Sequence, residues 1–346
     1  METLSARWKG LSSLPRIALA ELPTPVEGLE ACSAATGAEI WCKRDDQTAL
    51  PYGGNKVRKL EWLLGDARSR GVDRLITTGA FGSHHVLATA IYGIRHGFEV
   101  DAVLYPQALA THVEENLRAD LAAGATLHPA RTYAGVAGRM IALATRARLK
   151  GGRPLIIGPG GSSPVGCIGY VEAGVELARQ IDAGECPEPR RVFVAAGSGG
   201  TVVGLAVGLA AAGLTSEVVG VRVAHAVAIN RPRLRRLAHK CVRILREADD
   251  RFPDVASLAM QHLVIDGSRM GGGYGVPTPE GEEAIGRAAE DGVSLEPTYT
   301  AKTFAALLAE ATTAPGEGPL LYVHTLSSAD MGPLIDGAPP TPSWAR

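Results

Sequence analysis

Short apolar runs alternate along this chain with longer stretches in which apolar residues recur at helical spacing. Leu75–Thr78, Val100–Tyr105, Leu155–Ile157, Val192–Ala196, Val218–Val223 and Leu320–Val323 read as buried strands. Val86–His96, Val113–Ala123, Val136–Leu149, Tyr170–Ile181 and Val202–Ala212 read as helices between them. Alternation of this kind predicts an α/β fold with largely parallel sheets, in which sites form beyond the carboxyl ends of the strands. Unusual loops lie there: Gly79–His85, Gly158–Pro164, Gly197–Thr201 and His324–Ser328. Val192–Leu214 carries no charge and is long enough to cross a bilayer. Its Gly-Ser-Gly-Gly-Thr break would leave backbone groups unpaired in lipid, so it reads as buried strand, loop and helix. Arg231–Arg246 reads as a helix with an apolar face and a solvated basic face.

Composition narrows the class. A chain of 346 residues has room for two domains. A net charge of −1 implies no nucleic-acid or membrane-surface partner. Ser5, Arg7, Lys9 and Arg16 interrupt the start, which does not read as an apolar signal segment. Cys32, Cys42, Cys167, Cys186 and Cys241 form no CxxC pair, and the histidines show no metal-like spacing. The expectation is a cytoplasmic protein with free thiols and no metal site.

Two glycine-rich loops carry the candidate chemistry. Gly53-Gly54-Asn55-Lys56-Val57-Arg58-Lys59 leads into apolar positions Leu60, Leu63, Leu64 and Ala67. Lys56 therefore sits in the first turn of a helix, with Asn55 as its expected cap. The positive end of a helix and partial burial both favour a neutral amine, the form Schiff-base chemistry needs. A solvated basic turn is the plainer alternative. The second loop, Gly197-Ser198-Gly199-Gly200-Thr201, joins a strand to a helix, where free N–H groups and two hydroxyls suit a phosphate. It lacks the Gly-Lys-Ser/Thr ending of a Walker loop and the third glycine of a dinucleotide fingerprint. An amine and a phosphate cradle together suggest pyridoxal 5'-phosphate (PLP).

The chain resembles the fold-type II PLP enzymes, in the group containing D-cysteine desulfhydrase and 1-aminocyclopropane-1-carboxylate (ACC) deaminase. The matching segments are Leu22-Pro23-Thr24-Pro25, Lys43-Arg44-Asp45-Asp46, Gly53–Glu61, Pro159–Pro164, Gly197–Thr201, Gly273–Pro277 and Glu296–Thr300. The resemblance implies a two-domain, tryptophan synthase β-like architecture, with residues 1–50 and 165–346 forming the large domain and 51–164 the small one. It implies Lys56 as the Schiff-base lysine, beside Asn55, and Gly197, Ser198, Gly199, Gly200 and Thr201 as the phosphate site. Ser83 falls where a hydroxyl meets substrate, with His84, His85 and Gly161 beside it. Tyr274 and Tyr299 match tyrosines that line the site and relay protons. Thr300, with Thr325, stands where ACC deaminases carry an acidic residue near the pyridine nitrogen. A threonine there supports a weaker electron sink, which suits loss of a good β-leaving group better than ring opening.

The function implied is a lyase that removes the α-proton of a small amino acid, D-configured or β-substituted, and expels its β-group, giving a 2-oxo acid and ammonia. A homodimer is the expected assembly. Two departures stand at the site. Gly82-Ser83-His84-His85 replaces the family's Gln-Ser-Asn-His, so a titratable donor takes the asparagine's place and a side chain near substrate is lost. His324-Thr325-Leu326-Ser327-Ser328 replaces His-Thr-Gly-Gly. These departures leave open plain elimination, a β-replacement synthase or racemase, and a PLP-binding pseudoenzyme.

Overall fold

The computed structural model describes residues 4–108, 110–225 and 229–345. Among them, ten strands form two sheets. Their ranges are β1 Val26–Gly28, β2 Ile40–Lys43, β3 Arg74–Ala80, β4 Glu99–Tyr105 and β5 Thr126–Pro129, then β6 Pro154–Ile156, β7 Arg191–Ala196, β8 Glu217–Arg222, β9 Leu263–Asp266 and β10 Leu320–Val323. One sheet runs β1-β2-β10-β7-β8-β9, with only β1 antiparallel to its neighbour. The other runs β5-β4-β3-β6 and is parallel throughout. Helices join successive strands, as parallel pairing requires. The predicted α/β alternation is therefore the observed one.

The sheets bury strands on both faces, which is why their sequences read as apolar runs. The segment Val192–Ala196 is buried apart from Ala195, and the uncharged Gly200–Ala212 helix behind it is buried on every side. That helix packs on the Pro164–Asp182 helix through glycines. A Cβ on Gly204 would lie 2.4 Å from the Cys167 carbonyl oxygen, and one on Gly208 would lie 2.3 Å from that of Val171. Gly169 likewise lets the backbone of Arg58 approach, since a Cβ there would fall 2.1 Å from its carbonyl oxygen. The Asn55–Ser69 helix, the Pro164–Asp182 helix and the Gly200–Ala212 helix thus form one close-packed block.

A buried ionic network pins that block to β2 and the turn after it. The fully buried Arg58 guanidinium makes two bonds to Asp45 (3.0 and 2.7 Å) and two to Glu176 (3.0 and 2.9 Å). Lys43 Nζ donates to Glu176, to Gln180 and to the Thr24 carbonyl, each at 2.6 Å. Tyr170 donates to Asp45 at 2.6 Å. Two cations face two carboxylates, so the cluster is neutral and its polar groups are satisfied. Burial opposes ionisation of Glu176, but Arg58 and Lys43 outweigh it and hold the carboxyl down at about 2.

The basic run forms the helix Arg231–Ala248, with Leu234, Ala238, Cys241, Val242 and Leu245 buried. All five cysteines are free and buried. No helix among the described residues is long and apolar enough to cross a membrane.

Candidate active site

A cavity of about 600 Å³ opens beyond the carboxyl ends of strands from both sheets. Its wall takes Thr78–Ala80 at the end of β3 and Ser83–His85 after it, Tyr105 from β4, Gly197–Gly199 after β7, Ala224 and His225 after β8, and Thr325 and Leu326 after β10. Asn55, Lys56 and Lys59 reach it from the Asn55–Ser69 helix.

Lys56 stands in the first turn of that helix, as predicted, but Asn55 is not its cap. Gly54 occupies the cap position at φ 87°, and a Cβ there would lie 2.8 Å from the Thr325 carbonyl oxygen, so only glycine fits. Asn55 is the first helical residue, and its amide bridges the two loops instead. Its Oδ1 accepts from Lys56 Nζ at 2.5 Å, and its Nδ2 donates to Thr201 Oγ1 at 3.0 Å. Burial, reinforced by the Lys59 cation and opposed by Glu296, pushes the Lys56 amine down to about 7. A large neutral fraction therefore exists at physiological pH.

Lys59, one turn on, projects to the Gly197–Thr201 loop. Its Nζ donates to the Gly160 carbonyl at 3.1 Å, and burial lowers it to about 8. Gly199, at φ 94°, starts the Gly200–Ala212 helix with no side-chain cap, and Leu234 buttresses it from behind. Ser162 Oγ receives the Gly200 amide at 2.9 Å and shares a 2.7 Å bond with Ser198. Three basic side chains, Lys56, Lys59 and Arg233, line the cavity against a single carboxylate, Glu296. That carboxylate is held by the amides of Thr298, Tyr299 and Thr300 at 2.6 to 2.9 Å. The imbalance, next to a helix start whose cap residue Gly199 has no side chain, is what an anionic phosphate offsets.

Ser83 caps the His84–Arg95 helix by accepting the Val86 amide at 3.4 Å, and its hydroxyl proton remains available. His84, the first residue of that helix, has Nδ1 at 2.6 Å from the Tyr52 phenol and 3.4 Å from Asn116 Nδ2. Burial lowers it to about 4, with Glu296 opposing and the Lys56 and His112 charges assisting. It is a neutral imidazole at working pH rather than a group titrating near 6.5. His85 is buried against Thr77 at 3.0 Å, and burial holds it neutral as well. The Tyr274 and Tyr299 phenols meet at 2.6 Å, and burial raises both, so both keep their protons.

Two expected neighbours lie outside the wall, and a third, Thr300, lines it with its hydroxyl already engaged. Gly161 is buried beside the cavity without lining it, and a Cβ there would meet His85 Cε1 at 3.3 Å. Gly82 does not line it either. A Cβ there would run into Val113 at 2.9 Å, so the glycine answers helix packing rather than opening space for substrate. The Thr300 hydroxyl is engaged locally, accepting the Glu296 amide at 2.7 Å and donating to its carbonyl at 3.1 Å. Ser327 latches its loop to the Lys56 turn by accepting the Gly53 amide at 2.8 Å. Tyr52, Lys59, Asn116, Ser162 and Glu296 contribute to the site without having been singled out from sequence for these contacts.

A mixed α/β frame with a lysine and a glycine-built helix start in one cleft is the arrangement of a PLP-dependent enzyme of fold type II. The chain matches the pyridoxal-phosphate dependent enzyme family over residues 17–325 and belongs to it. It is 36% identical over 326 residues to a D-cysteine desulfhydrase of Klebsiella pneumoniae (strain 342), covering 92% of this chain and 95% of that one. A D-cysteine desulfhydrase of Salmonella schwarzengrund (strain CVM19633) is 37% identical over 324 residues, covering 91% and 94%. The crystal structure of an ACC deaminase homologue superposes with a TM-score of 0.79 at 31% identity, covering 93% and 94%. Threonine deaminase isoform 2 from Solanum lycopersicum, at 16% identity and a TM-score of 0.61 over 92% and 85%, shares the fold. The cofactor is pyridoxal 5'-phosphate, and the charge imbalance of the cavity fits it.

Proposed function

We propose that this chain is a lyase acting on a small β-substituted amino acid, with D-cysteine the first substrate to try. The observation that carries the reading is the Asn55 amide, which joins a lysine held at about 7 to the phosphate-type loop within one cavity. Bound PLP supplies the electron sink for carbanion chemistry at the α-carbon. Gly197–Thr201 and Lys59 would hold its phosphate, and Lys56 would be its Schiff-base partner and move the α-proton at Nζ. The Ser83 hydroxyl and the start of the His84–Arg95 helix receive the substrate carboxylate. The Tyr274–Tyr299 pair, protonated at working pH, donates to the departing thiolate. Of the two threonines in the cavity wall, Thr325 has no hydroxyl partner among the described residues, and it would take the role expected of Thr300. The balance is D-cysteine plus water to pyruvate, hydrogen sulfide and ammonia.

We further propose residues 1–50 with 165–346 as one domain, 51–164 as the other, and a cytoplasmic homodimer. The test of the reaction is incubation of the purified protein with D- and L-cysteine and β-chloroalanine, with assays for keto acid and sulfide. Keto acid formed from a single amino acid supports elimination. Product only with an added nucleophile points to replacement, and no product with any of them sinks the lyase reading.

The phosphate loop yields a separate prediction. Thr201→Ala removes one hydroxyl and leaves Asn55 Nδ2 without its acceptor. PLP affinity is expected to fall about tenfold or more, a cost of roughly 1.5–3 kcal/mol, with turnover largely restored at saturating cofactor. Equilibrium titration of PLP against wild type and variant checks it.

A further inference from the structure

We propose that Tyr52 and Asn116 are positioning residues that lock His84 as its Nε2–H tautomer, so that a neutral imidazole presents a fixed N–H donor to the cavity. The donors and acceptors around the ring fix the tautomer. His84 Nδ1 has two neighbours, the Tyr52 hydroxyl at 2.6 Å and Asn116 Nδ2 at 3.4 Å. The Asn116 amide cannot turn over freely, because Nδ2 also donates to the Gly82 carbonyl at 2.9 Å. It therefore offers a hydrogen, not a lone pair, to the imidazole. The Tyr52 phenol is 2% exposed, burial keeps it protonated, and its hydroxyl has no other partner among the described residues. Two donors converge on Nδ1, so Nδ1 accepts, and the single proton of the neutral ring resides on Nε2. Nε2 has no protein partner among the described residues, and His84 lines the cavity.

The charges facing the ring do not upset this assignment. Glu296 favours the charged ring, Lys56 and His112 disfavour it, and Tyr299 stands edge-on with centroids 6.5 Å apart. Burial, with Lys56 and His112 assisting, outweighs Glu296 and favours the neutral ring. An asparagine in this place could turn either its oxygen or its nitrogen to the pocket. The locked imidazole can only donate, which commits the site to an oxygen acceptor at that point. Under the PLP-lyase reading, on which this step rests, the acceptor is an oxygen of the cofactor ring.

Two measurements test it. In ring-¹⁵N-histidine-labelled protein as purified, two-bond ¹H–¹⁵N spectra should show the His84 signal, identified by its loss in His84→Asn, with the Nε2–H pattern near neutral pH. In Tyr52→Phe the same signal should move toward a tautomer mixture. PLP affinity should fall about fivefold or more in Tyr52→Phe but change less than about twofold when Tyr52→Phe is added to His84→Asn, because an asparagine donor does not depend on the phenol. An Nδ1–H pattern in wild type overturns the proposal, as does an equal loss of affinity in both backgrounds. The spectra need no substrate, so a protein that makes no keto acid would sink the lyase reading and leave the tautomer result standing.

Discussion

Lys56→Ala is expected to abolish turnover, by about 10³-fold or more, while the protein still takes up PLP through its phosphate loop. The competing lysines are committed elsewhere. Lys43 is enclosed in the ionic network, and Lys59 bonds to the Gly160 carbonyl beside the loop. Only the Lys56 amine pairs a neighbouring amide oxygen with a value brought down to about 7. Because the reactive form is the free amine, attachment of PLP to stripped protein should accelerate as pH rises toward about 7 and level off above it. Borohydride reduction followed by peptide mapping should place the adduct on Lys56. An adduct on Lys59 would falsify the assignment.

Arg58→Leu is expected to destabilise the protein by about 3–5 kcal/mol, because Asp45 and Glu176 remain buried with only Lys43 to offset them. The urea midpoint should drop with little change in slope. A loss under about 1 kcal/mol would mean that water enters the cluster. The same network gives an acid dependence. The folded-state value of Glu176 is depressed to about 2 from an ordinary value of about 4.3, so its contribution is present above that ordinary value and is lost as pH falls toward 2.

The parallel frame was legible because strands buried on both faces are written as unbroken apolar runs. Strands β1, β2, β5 and β9 went unread. Each has three or four residues and carries polar positions, as in Val26-Glu27-Gly28 or Thr126–Pro129, so no period emerges. At the site, Lys56 and the Gly197–Thr201 loop could be found because their chemistry is local to a strand–helix or turn–helix junction. The misreadings concern partners distant in sequence. Asn55 looks like a cap until Gly54 is seen against Thr325, 271 positions away by simple subtraction of residue numbers. Gly82 looks like added space until Val113 is seen over it. His84 carries an ordinary histidine value in sequence, and only its burial in the fold, beside Tyr52 and Asn116, lowers it. Lys43, Asp45 and Arg58 look like part of a functional signature, and in the fold they are internal ballast for the helix that bears Lys56.

The glycine seams between the Pro164–Asp182 and Gly200–Ala212 helices bear on how such a protein can be altered. At Gly204 and Gly208 even one methyl group would strike the backbone of the facing helix. The seam itself therefore admits no larger residue at these two positions, and a lineage or an engineer seeking new selectivity has more room on the wall that the other sheet contributes. There Tyr105 and Tyr133 border open volume, and exchanging them changes the shape offered to an amino acid without disturbing the close-packed helices.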